Sequence, residues 1–162
     1  MSGKSARIAA LIEACRGRDL DAHYLGYFEC FNRAMFYEAH DVLEELWLSD
    51  RHGPPGNFYK GLIQFAGAFV HLQKDSPRYP RLRPAAALFK LAQGYLRPYA
   101  PGYERLDVSR VLALAASWQA ELEAVAFAVN PLQTQAPPIL QLTDPAAPRP
   151  VPPPGTTPLG TA

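Results

Sequence analysis

Phe36-Tyr37-Glu38-Ala39-His40-Asp41-Val42-Leu43-Glu44-Glu45-Leu46-Trp47 is the stretch on which the fold turns. At 100° per residue, Phe36, Ala39, Leu43, Leu46 and Trp47 fall on one apolar stripe, which predicts an amphipathic helix lying against a core. His40 stands on the shoulder of that stripe, beside Trp47, and Glu44 follows one turn later. Glu38, Asp41 and Glu45 point the other way, toward solvent. The segment thus divides its acids, three for water and one for the margin of the core next to a histidine.

Working outward, the same helical period continues on both sides. Ile8, Leu11, Ile12 and Cys15 repeat on one face before Gly17, and Leu25, Phe28 and Phe31 mark a second helix beginning near Asp19 or Asp21. A short bend at 32–35 leads into the third helix, Phe36 to about Leu48. His52-Gly53-Pro54-Pro55-Gly56-Asn57 reads as a loop. A fourth helix, about Phe58 to Lys74, is apolar around much of its circumference, as a central helix is. Pro77, Pro80 and Pro84 punctuate the next loop, and Pro84 suits a first helical position. The fifth helix runs to about Leu96. Asp107 or Ser109 caps a sixth, which continues to about Val129. No segment alternates as a strand does, so the expected fold is all-α, one bundle of about five to six helices over residues 1–130.

Composition breaks at Pro131. Ten of the seventeen prolines lie from there onward, and Asp144 and Arg149 are the only charges in that stretch. Runs such as Pro152-Pro153-Pro154 can neither continue a helix nor supply a sheet ladder, so residues 131–162 are expected to form a disordered proline-rich tail.

His40 and Glu44, spaced i and i+4, can touch. The pair could bind a metal through imidazole and carboxylate with further ligands from another helix, or Glu44 could orient His40 as a general base. It could equally satisfy its own hydrogen bonds at a helix interface. On the fourth helix, Gly61, Gln64, Ala68 and His71 share a narrow stripe whose small residues allow another backbone to approach. If the third helix faces that stripe, His40, Glu44, Gln64 and His71 converge as a ligand site. His40, Glu44 and His71 would then be the candidate ligands for a divalent transition metal.

Phe31-Asn32, the string Phe36 to Trp47, and Tyr59-Lys60-Gly61-Leu62-Ile63-Gln64 together resemble the bacterial and archaeal family called domain of unknown function 309. Leu96-Arg97-Pro98-Tyr99 and Leu106-Asp107-Val108 add to the likeness, which spans about 24–129. The resemblance implies a compact helical domain and carries no established activity, so it transfers no catalytic residues. Two departures stand out. The family's bend usually holds a glycine between Asn32 and Phe36, where this chain has Arg33-Ala34-Met35. A Gly-Asn pair typical after the fourth helix is replaced by Lys74-Asp75-Ser76-Pro77. Arg78, Arg81 and Arg83 follow in that loop, either solvated or placed to hold an anion at the start of the fifth helix.

A net charge of +1 supplies no global field toward nucleic acid or an anionic membrane, and no apolar run is long enough to span a bilayer. Cys15 and Cys30 lack ligand spacing and suit buried thiols in a reducing cytosol, so a cytoplasmic location is expected. The favoured reading is a binding or structural module, with a protein partner or a homodimer as candidates. The alternative is a metal-dependent hydrolase, or a metal or small-ligand sensor, built on the same cluster. No catalytic signature such as His-Glu-x-x-His decides for an enzyme.

Overall fold

The computed structural model describes residues 6–143. Six helices form among them: α1 (Ala6–Ala14), α2 (Ala22–Phe31), α3 (Phe36–Asp50), α4 (Gly56–Lys74), α5 (Leu82–Leu96) and α6 (Val108–Ala124). Between α5 and α6 lies a two-stranded antiparallel hairpin, β1 (Gly102–Tyr103) and β2 (Leu106–Asp107), too short to leave an alternation in sequence. The all-α expectation holds apart from this hairpin.

The helix ends follow from identifiable residues. Asp21 caps α2 by accepting from the His23 amide at 2.8 Å, and Asp107 caps α6 by accepting from the Arg110 amide at 3.0 Å. No side chain caps α3; its first turn is set by the preceding bend. There the Arg33 and Met35 amides both reach the Cys30 carbonyl, the Ala34 amide reaches Phe31, and Ala34 takes φ 57°. This is a Schellman-type closure with alanine at the left-handed position that glycine usually fills. The same device ends α6 earlier than the expected Val129: Ala126 and Phe127 have φ 51° and 61°, and their amides fold back on Glu123 and Leu122.

α4 is the central helix. It packs on α3 along one side and α5 along the other, and its Phe69 ring meets rings from four different helices. Centroid distances are 5.6 Å to Phe31, 5.0 Å to Phe36, 5.2 Å to Phe89 and 4.9 Å to Trp118. Each such pair adds about 0.5–1.5 kcal/mol beyond the burial of its area. The core stripe of α3 is Phe36, Ala39, Val42 and Leu43; Leu46 and Trp47, expected inside, are half-buried at its edge. Two buried tyrosines spend their hydroxyls on backbone carbonyls, Tyr27 on Leu62 at 2.7 Å and Tyr24 on Glu104 at 2.9 Å.

The largest difference from expectation begins at Pro131. Residues 131–143 do not leave the domain. Pro131 and Leu140 are buried, and Leu142 bridges to Leu106. Pro131–Gln133 form one 3-10 turn, and the chain beyond it is extended along the surface, a form that prolines permit. Of the expected tail, residues 144–162 lie outside the described residues. Among those described, no helix is long and apolar enough to cross a membrane.

Candidate functional site

Two contacts between cations and aromatic rings bracket the seam between α3 and α4. Lys60 Nζ sits 4.4 Å from the Trp47 ring centroid, and Lys74 Nζ sits 5.2 Å from that of Tyr37. The helices therefore run antiparallel along this seam. Along α3, His40 and Glu44 lie between the two contacts; along α4, Gln64 and His71 do. All four side chains are half-buried. His40 Nδ1 is 3.5 Å from a Glu44 carboxylate oxygen, the i,i+4 contact expected, and the His40 ring stacks on Tyr37 at 6.3 Å. A pair this exposed contributes only about 0.3–0.5 kcal/mol.

The α4 stripe is oriented differently from expectation. A Cβ on Gly61 would fall 2.6 Å from Leu96 Cγ, and one on Gly67 would fall 3.1 Å from Leu88 Cδ1, so these glycines admit α5 rather than α3. Gln64 and His71 fall between the directions of Gly61 and Lys60 around the helix, and look out from the margin where α3, α4 and α5 meet. Among the described residues, no hydrogen bond joins Gln64 or His71 to His40 or Glu44.

The metal set His40, Glu44 and His71 is not assembled. Among the described residues, no three of His, Cys, Asp and Glu gather closely enough to hold an ion. Burial, then the charges of Arg81 and Lys74, push the pKa of His71 below the usual imidazole value. Those same cations would repel a metal. His71 Nδ1 is shielded from solvent and has no hydrogen-bond partner among the described residues.

Of three further features, two were not foreseen. Glu45, expected in solvent, bonds His23 of α2 at 3.0 Å. That contact joins residues 22 positions apart, beyond the reach of helical spacing. Cys15 and Cys30 are free and buried as expected, and burial pushes the Cys30 thiol up to about 11. Asn32, at the end of α2, does not cap its helix with its side chain. Its amide donates to the Leu140 carbonyl at 2.7 Å and its oxygen accepts from the Leu140 amide at 2.8 Å.

Two surface cavities are relevant to binding. An apolar groove of about 630 Å³ runs along the outer face of α5, lined by Ala87, Lys90, Leu91, Gly94 and Tyr95. A more polar one, of about 480 Å³, lies beside the docked C-terminal segment, between Arg18, Phe28, Asn32 and Arg105. Neither is lined by His40, Glu44, Gln64 or His71.

An all-α domain built around a central aromatic helix, with a polar seam and no assembled metal group among its described residues, is the class these features define. Residues 24–80, from α2 to the loop before α5, match the family model described as Domain of unknown function (DUF309). No curated protein and no solved structure matches it.

Proposed function

We propose that the chain is a non-catalytic protein-binding module that pairs with a second copy of itself through the outer face of α5. The observation that carries this reading is the apolar strip on that face. Ala87, Leu91, Gly94 and Tyr95 form it beside Lys90, and Leu91 is 48% exposed. An exposed apolar strip of this kind marks an interaction surface. The strip is also nearly symmetric about Leu91. If two copies cross antiparallel at that residue, Ala87 of each faces Tyr95 of the other, small against large in both directions. A two-fold contact requires such self-complementarity.

The polar seam fits this reading as the margin of the contact. Gln64 and His71 border α5, His40 and Glu44 lie one helix further out, and half-exposed polar groups around an apolar centre are the usual rim of a protein interface. The buried free thiols Cys15 and Cys30 suit a module that works in a reducing cytoplasm.

Sedimentation velocity over a wide concentration range tests the proposal. The expected result is a concentration-dependent dimer that Leu91→Asp abolishes while helical circular dichroism is unchanged. A chain that remains monomeric throughout, or a dimer insensitive to Leu91→Asp, would overturn it.

A further inference from the structure

Residues 139–143 sit in their groove as a bound peptide would. The segment is extended, and the contacts that hold it are made mainly by its backbone. Asn32 clamps both the amide and the carbonyl of Leu140. Arg110 Nη1 donates to the Ile139 carbonyl at 2.9 Å, and the Thr143 amide donates to the Arg105 carbonyl at 2.8 Å. Leu142 pairs with Leu106 as a bridge, extending the small hairpin by one position. Only Leu140 sends a side chain fully into the core, at 1% exposure, while Ile139 remains 48% exposed. Backbone pairing plus one apolar pocket is how sheet edges and clefts recognise extended peptides.

Two further observations bear on what else the groove can hold. About 480 Å³ of space stays open alongside it, walled by Arg18, Leu25, Phe28 and Glu29. In the same wall, Arg105 spends one guanidinium nitrogen on Asp19 at 3.0 Å, while its Nε is shielded from solvent and has no acceptor among the described residues. The connection to the rest of the domain, residues 134–138, is exposed or half-buried and ends in Pro137-Pro138. The segment is thus attached through a surface tether rather than through the core.

We propose that this groove docks an extended segment of a partner protein, one presenting a leucine between backbone-paired neighbours, and that residues 139–143 hold it closed in the free chain. The proposal does not depend on the reading of α5. The Asn32 side chain is its central recognition element, since it copies the donor and acceptor of a neighbouring strand. The open part of the groove would take side chains that the chain's own segment lacks.

A labelled peptide of residues 137–143, added to the full chain, is the probe. Leu140→Ser withdraws the anchor of the tethered segment and leaves the groove walls intact. A tethered competitor acts at an effective concentration of about 1 mM, so for a peptide with a Kd of about 0.1 mM the wild-type chain should bind roughly tenfold more weakly than Leu140→Ser. Adding Asn32→Ala to Leu140→Ser should abolish the binding. A Leu140→Ser chain that keeps its helical circular dichroism but shows no saturable binding overturns the proposal, and so does equal affinity for the two chains. If Leu140→Ser does not fold, hydrogen exchange of the wild-type chain decides. Exchange of the Leu140 and Thr143 amides well ahead of those in α4 supports a displaceable segment, and exchange at the α4 rate overturns it. A wild-type dimer that Leu91→Asp does not dissociate, and whose copies have swapped this segment, would make the occupant a second copy and overturn the partner assignment.

Discussion

Replacing Ala34 by glycine should stabilise this chain, although the change deletes a methyl group and loosens the unfolded backbone. Ala34 turns the chain from α2 into α3 at φ 57°, with its amide on Phe31 and its carbonyl accepting from Gln73 Nε2 at 2.9 Å. A side chain in the left-handed region costs about 1–2 kcal/mol. Glycine removes that cost but loses about 0.5–1 kcal/mol through its freer unfolded state. The Ala34 side chain is exposed, so no packing is forfeited. The net expectation is a gain of about 0.5–1 kcal/mol, which for a domain of this size raises Tm by roughly 1–4 °C. Urea unfolding followed by circular dichroism and by the fluorescence of Trp47 and Trp118 measures it. The midpoint should rise with the slope unchanged. Ala116→Gly, at an exposed position inside α6, is the control and should destabilise by about 1 kcal/mol. An Ala34→Gly chain no more stable than wild type, beside a control that behaves as stated, would refute the strain argument.

Three other outcomes test the frame around the seam. Gly61→Ala drives a Cβ to within 2.6 Å of Leu96, and calorimetry should show about 1–3 kcal/mol of destabilisation from overpacking α4 on α5. Asn130→Ala removes the buried donor that reaches the Leu72 carbonyl at 2.7 Å, and leaving that carbonyl unpaired should cost about 1–3 kcal/mol in urea unfolding. His71 has a folded-state pKa below the usual imidazole value of about 6.5, so the unfolded chain takes up the proton first as pH falls. Its contribution is therefore complete above that value and is lost on acidification below it. The drop in urea midpoint between neutral and mildly acidic pH should be larger for wild type than for His71→Gln, and equal drops would count against this account.

The helices were legible because their signals are local. Apolar spacing in Phe36–Trp47, the Asp21 and Asp107 caps and the prolines of the 54–55 and 77–84 loops each act within a turn or two. The i,i+4 contact of His40 with Glu44 was legible for the same reason. What the spacing could not specify was which neighbour a stripe would meet. A helical wheel orders Gly61, Gln64 and His71 around their own axis, but only the packing of Leu88 and Leu96 reveals that α5 lies beside Gly61. The pairing of Glu45 with His23 escaped because it joins two helices whose angle is set by the aromatic core. The docked segment escaped because prolines advertise what a chain does not do. Its positive signal was limited to Leu140-Gln141-Leu142, a single alternation.

The groove around Asn32 also has a consequence for the order in which the molecule comes into being. Its walls are contributed by residues up to Arg110, whereas its occupant ends at Thr143, thirty-three residues later. At about 5–20 residues per second, a ribosome needs roughly 2–7 s to cover that distance. Helix formation and hairpin closure take microseconds. For those seconds, in every nascent chain, the wall residues exist while the segment that will cover them is still unsynthesised.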